Sequence, residues 1–276
     1  MKQDLMKQIG DILKSIRATK PLIHHITNYV TVNDCANITL AVGASPIMAD
    51  DLGEAADITS ISSALVLNMG TLNERTIESM LAAGKQANAI KIPVVFDPVG
   101  AGASELRNKT VERILREVKV SVLRGNMSEI RFLAGLHATT KGVDASDADL
   151  QGGLEIGHSI AKTTAKKYGC VAAITGPTDI LSDGRRTVLL QNGTKLLSNV
   201  TGTGCMCTSL VGSFCGASKD FLAAAAGGVL CMSLAGELAA EQAGETGNGS
   251  FHMAIFDAVS KMTAATMERR AKIEEV

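Results

Sequence analysis

The chain has 276 residues, 46% hydrophobic and 20% charged, enough to bury a sizeable core at the upper end of single-domain size. Its 27 Lys and Arg against 28 Asp and Glu leave a formal net charge of -1, which excludes a sequence-wide attraction to polyanions, and 3% aromatic residues with no Trp remove the stacking platforms of single-stranded nucleic-acid and sugar binders. One domain over residues 1–276, taking a small non-polymeric ligand and neither nucleic acid nor membrane, is the expectation.

Leu5, Ile9, Ile12, Leu13 and Ile16 recur at helical spacing, and Pro21 closes that opening helix before an extended stretch at residues 22–27. The opening 20 residues are charged throughout and carry no apolar signal-peptide core. Strand and helix patterns then alternate. Compact apolar runs at residues 46–49, 64–68, 94–97, 121–123 and 171–175 each lie between longer helix-like segments, the pattern of a mostly parallel sheet flanked by helices on both faces. The polar segment 141–149 reads as a mobile surface loop.

After Thr175 the rhythm changes. Short runs at 180–182, 187–190 and 195–197 are separated by Asp183-Gly184 and Asn192-Gly193, two hairpin signals that predict an antiparallel edge. From Cys205 onward the pattern is almost wholly helical. The apolar run 221–236 is shorter than a membrane crossing needs and reads as a buried helix. The six cysteines (Cys35, Cys170, Cys205, Cys207, Cys215, Cys231) form no CxxC pair, which fits a reducing cytoplasm.

In a parallel α/β sheet the ligand sits beyond the carboxyl ends of the strands, so the turns that follow strands are where chemistry is expected. In Asp97-Pro98-Val99-Gly100-Ala101-Gly102-Ala103 an acid ends a buried strand; it either faces a metal or caps the next helix. In Arg124-Gly125-Asn126-Met127-Ser128-Glu129 the bland account is a capping box between Asn126 and Glu129. The alternative makes Glu129 an outer magnesium ligand and Arg124 a clamp on phosphate oxygens. The third turn, Thr201-Gly202-Thr203-Gly204-Cys205-Met206-Cys207-Thr208, leads into an uncharged helix whose free amides would make an anion hole.

Adjacent His24 and His25 point to opposite faces of an extended segment, and His137, His158 and His252 have no ligand spacing, so a zinc site is not expected. GxxxxGK followed by Ser or Thr does not occur, nor do the HRD and DFG signatures of protein kinases.

With residues 21–28 (Pro-Leu-Ile-His-His-Ile-Thr-Asn), 43–48 (Gly-Ala-Ser-Pro-Ile-Met) and 64–72 (Ala-Leu-Val-Leu-Asn-Met-Gly-Thr-Leu), the three turns resemble the hydroxyethylthiazole kinases, thiamine-salvage enzymes of the ribokinase-like superfamily. The likeness runs over nearly the whole chain. It implies a ribokinase-like α/β fold and transfer of the ATP γ-phosphate to the hydroxyethyl oxygen of 4-methyl-5-(2-hydroxyethyl)thiazole, with Mg2+ required. It also implies a homotrimer with active sites at subunit interfaces. Carried over by position, Asn28, Met48 and Gly202 look like thiazole contacts, Arg124 and Thr175 like ATP contacts, and Asp97 and Glu129 like the magnesium region. Gly202, Gly204 and Cys205 take the place of the catalytic anion hole. The wider superfamily ends that motif in an Asp base, whereas here the place is Cys205, as looks usual for the thiazole kinases; base and pocket-shaping roles both stay open. A cysteine-nucleophile enzyme pairing Cys205 with a His, and a non-catalytic sensor of ATP or thiazole, are the alternatives from other classes.

Overall fold

A computed structural model describes residues 2–136 and 147–276. The chain opens with α1 (Lys2–Thr19) and then alternates through β1 (Leu22–Ile26), α2 (Val32–Val42), β2 (Ser45–Met48), α3 (Ala55–Ser60), β3 (Ala64–Asn68), α4 (Glu74–Ile90), β4 (Val94–Asp97), α5 (Glu105–Glu117) and β5 (Val122–Asn126). It continues with α6 (Met127–Ala134), α7 (Asp147–Tyr168), β6 (Val171–Thr175), β7 (Asp179–Ser182), β8 (Thr187–Leu190), a 3-10 turn at Lys195–Asn199, α8 (Thr203–Gly216), α9 (Phe221–Ala243), α10 (Asn248–Lys261), α11 (Ala264–Arg270) and β9 (Ile273–Glu275).

The strands form one sheet in the order β2-β1-β3-β4-β5-β6-β7-β8-β9. Pairings from β2 across to β6 are parallel, and those from β6 to β9 are antiparallel. Side chains alternate across the pleat, so each buried strand feeds two cores. Val66, Val95 and Val122 pack with α1, α8, α9 and α10 on one face, while Leu65, Leu67, Phe96 and Leu123 pack with α4, α5 and α7 on the other. This accounts for the continuously apolar strands of the sequence.

On the first face, α9 has the length and composition of a membrane span, yet 83% of its apolar window is buried inside the protein. Small residues make that possible. A Cβ on Gly228 would come within 2.6 Å of the Val211 backbone, so α8 and α9 touch through glycine.

Three expectations change. The run 195–197 is a 3-10 turn rather than a strand: the Thr194 side chain accepts from Leu196 N, and Leu196 and Leu197 pack onto the helical core. The edge of β8 is covered instead by β9 from the chain's end, which had read as wholly helical, with Leu190 opposite Ile273. β5 runs on through Arg124 and Gly125 to Asn126, because those residues pair with Ala173, Ile174 and Thr175 of β6. The expected loop 141–149 lies outside the described residues as far as residue 146, and its last three residues open α7.

Candidate active site

β3, β4 and β6 end in Asn68, Asp97 and Thr175, Arg124 lies two residues before the end of β5, and the N-terminus of α8 comes against Asn68 and Arg124. Asp97, Arg124, Glu129, Thr175, Gly204 and Cys205 all line one cavity of about 840 Å³. Gly202 is the N-cap of α8, with φ of 86° and no capping side chain, so the first helical amides are left for a ligand. A Cβ there would also lie 2.6 Å from Thr31 Cγ2, so both backbone and space demand glycine.

Arg124 spans the cavity floor. One arm donates to Thr175 Oγ1 at 2.5 Å, and the other lies 3.5 Å from Asp97 Oδ2. A Cβ on Gly204 would sit 2.8 Å from Arg124 Nη1, so the missing side chain lets the helix end approach the guanidinium. Burial works against the charge of Arg124, but Cys207, Asp97, Glu129 and Asp179 together raise its pKa above the ordinary value.

Asp97 is 1% exposed. Its Oδ2 accepts from Thr208 Oγ1 at 2.7 Å and Asn68 Nδ2 at 3.0 Å, while Oδ1 is buried with no hydrogen-bond partner among the described residues. Burial pushes Asp97 up to about 6, against the pull of Arg124 and the Thr208 hydrogen bond, with Glu129 adding to the rise. An orphaned carboxylate oxygen on a cavity wall suits a hard divalent cation. Among the described residues no cluster of three His, Cys, Asp or Glu is placed to hold a metal by protein alone.

Glu129 forms the capping box of the bland account: Oε2 accepts from Asn126 N and Asn126 Oδ1 accepts from Glu129 N. It does more than that. Glu129 Oε1 accepts from Gly100 N at 2.8 Å and so ties α6 to the turn after Asp97. Glu129 also lines the cavity, and each carboxylate oxygen can accept more than one bond, so capping and an outer-sphere role are compatible.

Cys205 is partly exposed on the cavity wall. Its Sγ accepts from Asn28 Nδ2 and Asn68 Nδ2, both at 3.3 Å. Asn28 is thereby joined to the cavity from behind, but Met48, at the end of the edge strand β2, does not line it. Both adjacent histidines are structural: His24 bonds Thr59 Oγ1 and Ala49 O, and His25 bonds Ile23 O. Burial brings His25 down to about 4.

The model of the hydroxyethylthiazole kinase family matches residues 13–265. The chain belongs to the hydroxyethylthiazole kinase family. A hydroxyethylthiazole kinase of Clostridium beijerinckii is 62% identical over 276 residues, covering 100% of both chains. That of Ruminiclostridium cellulolyticum is 62% identical over 270 residues, 98% of each. The solved structure of a hydroxyethylthiazole kinase from Pyrococcus horikoshii OT3 superposes with a TM-score of 0.89 at 37% identity, covering 98% of this chain and 99% of that one. A pyridoxal kinase from Staphylococcus aureus in complex with AMP-PCP has a TM-score of 0.56 at 17% identity, covering 79% of this chain and 88% of that one, a likeness of fold alone. The architecture of this hydroxyethylthiazole kinase family member is ribokinase-like: a mostly parallel sheet between helices, with an antiparallel edge and a helical C-terminal part.

Three residues of the site escaped sequence reasoning. Asn68 ends β3 directly opposite Asp97 in the parallel register, and the signal was available as a polar residue closing an apolar strand. Thr208, one helical turn past Gly204, closes the third turn of the sequence, but nothing there points to its bond with Asp97. Asp179 opens β7 and lines the cavity, its Oδ1 accepting from Gly176 N at 3.0 Å and its Oδ2 from Ser233 Oγ. Burial raises it to about 6, opposed by the Gly176 hydrogen bond and by Arg124.

Proposed function

We propose that this cavity transfers the γ-phosphate of ATP to the hydroxyethyl oxygen of 4-methyl-5-(2-hydroxyethyl)thiazole. The observation that carries the reading is the convergence of Arg124, the carboxylate of Asp97 and the uncapped N-terminus of α8 on one cavity, the set of charges a transferring phosphoryl group needs. The substrate oxygen forms a bond to the γ-phosphorus, the bond from that phosphorus to the β,γ-bridging oxygen breaks, ADP leaves with that electron pair, and the hydroxyl proton is released to solvent as the ester forms.

The first amides of α8 and the Arg124 guanidinium stabilise the equatorial oxygens as charge spreads over them. Thr175 holds Arg124 in place and faces the nucleotide. Asp97 Oδ1 and, through water, Glu129 are the groups that would hold Mg2+, which supplies charge neutralisation on the phosphates. Phosphoryl transfer of this kind depends mainly on positioning and charge stabilisation, so a strong base is not demanded and Cys205 serves to shape the acceptor end. A nucleophile role for Cys205 is disfavoured because, among the described residues, no histidine lines the cavity.

A homotrimer with the thiazole shared between subunits is part of the same reading. Met48 stands three strand positions from Asp97, about 14 Å at the usual strand spacing, which favours a thiazole pocket completed by a neighbouring chain. Tyr29 (79% exposed), Val30, Leu40, Leu52 and Ile61 leave apolar surface around β1 and β2 for that neighbour. Six free cysteines, five of them buried, accord with a cytoplasmic location.

A coupled ADP-release assay tests the reaction. The expected result is thiazole-dependent ADP that disappears in excess chelator, whereas ADP release with no dependence on the thiazole, or none at all, contradicts it. Light scattering tests the assembly, with a mass near three times 28.7 kDa expected and an active monomer contrary.

A further inference from the structure

Asn68 sits where the phosphate side and the acceptor side of the cavity meet. Its Oδ1 accepts from Gly70 N at 2.9 Å and from Asn28 Nδ2 at 2.9 Å. Its Nδ2 donates to Asp97 Oδ2 at 3.0 Å and to Cys205 Sγ at 3.3 Å. Every donor and acceptor of the amide is therefore used, and a flipped amide would put oxygen against a carboxylate, so a single orientation is fixed. The residue is 2% exposed, and β3 and β4 pair Asn68 with Asp97 Cα to Cα, so the sheet itself sets the separation. Thr208 reaches the same Asp97 oxygen from α8, three residues past Cys205.

The amide thus has two halves. Its oxygen stitches the turn after β3 to Asn28, a matter of local structure. Its nitrogen binds together Asp97 from β4 and Cys205 from α8, two groups that meet opposite ends of the reacting system. We propose that Asn68 is a positioning residue for phosphoryl transfer, its two N–H bonds locking the phosphate-side carboxylate and the acceptor-side sulfur in one geometry. This rests on the kinase reading of the cavity.

Asn68→Asp separates the halves, because it is isosteric and keeps the acceptor towards Gly70 and Asn28 while taking away the N–H donor that faces Cys205 Sγ; beside Asp97 the two carboxyls share a proton. With a near-native melting temperature, kcat is expected to fall by at least ~10²-fold, well beyond any rise in the KM for ATP that follows from disturbing Asp97. Alkylation of Cys205 by iodoacetamide at pH 8, read on its own peptide by mass spectrometry, is expected to slow several-fold, because Sγ loses the N–H donor that Asn68 supplies. Native kcat in the folded variant overturns the proposal, and so does a KM for ATP that rises in step with the loss.

The alkylation arm needs neither ATP nor metal. If the wild-type protein shows no thiazole-dependent ADP release, the kinase reading fails, while an unchanged alkylation rate in Asn68→Asp separately contradicts the link between Asn68 and Cys205. If Asn68→Asp does not fold, Asn68→Ala and Cys205→Ser form a double-mutant cycle: coupling, with the double variant no worse than the poorer single, is expected, and additive losses contradict it.

Discussion

The guanidinium of Arg124 lies 3.5 Å from Oδ2 of Asp97 and leaves Oδ1 of the same carboxylate buried and without a hydrogen bond. One oxygen is held by three donors from β3, β5 and α8, and the other is left without a donor on a residue that lines the cavity. That asymmetry is what a carboxylate meant to receive a cation with its phosphates requires, and its titration gives the first prediction. Burial sets Asp97 at about 6, so the free enzyme loses this charge as pH falls through that value. The kcat/KM for ATP is expected to fall about tenfold per pH unit below it, and a profile that stays flat to pH 4.5 with the fold intact removes the role.

Asp179 gives a prediction about stability. Its folded value, about 6, is raised above the usual 3.8, so its contribution to stability is fully present below 3.8 and is lost as pH rises through 6. The difference corresponds to about 3 kcal/mol at pH 8. Asn at this position keeps the bond from Gly176 N and removes the charge. Asp179→Asn is expected to raise the melting temperature at pH 8 and to leave it almost unchanged at pH 4. Equal shifts at both pH values contradict the electrostatic account.

Glu129 holds two backbone N–H groups, one with each oxygen, so Gln can retain only one of these bonds and turns an N–H donor towards the other. Glu129→Gln is expected to cost about 1–3 kcal/mol. Because the outer-sphere charge is lost as well, kcat should fall more than tenfold. A lowered melting temperature with native kcat per folded molecule makes Glu129 a cap and nothing more.

The alternation of apolar runs with helical patterns made the parallel core legible, since strands buried on both faces have no choice but to be continuously apolar. The three turns were legible for the related reason that glycines and a lone acid or Arg at a strand's end have few structural uses. What escaped was set by partners far along the chain. β9 forms because β8 has an open edge, and the residues 195–197 leave the sheet because Leu196 and Leu197 find the helical core. Asn68 reads as an ordinary strand end until the register with Asp97 and the approach of Cys205 are seen. The double duty of Glu129 depends likewise on Gly100, which lies 29 residues away.

Cys205 accepts two N–H bonds, and among the described residues no histidine lines its cavity, which fits a residue that shapes the acceptor end. Ser at this position is nearly isosteric and also accepts. Cys205→Ser is expected to lose no more than ~10²-fold in kcat, with no covalent adduct on the wild-type thiol by intact-protein mass spectrometry. An adduct, or a much larger loss in a folded variant, points to covalent or base catalysis instead.

The central claim is that the cavity delivers the γ-phosphate to the hydroxyethyl oxygen rather than to water. Phosphorus NMR of a reaction containing ATP, Mg2+ and the thiazole alcohol, followed to completion, tests this most directly. The account predicts one thiazole phosphate monoester for each ADP formed and little inorganic phosphate. ADP accompanied by inorganic phosphate in equal amount, with no ester signal, contradicts it.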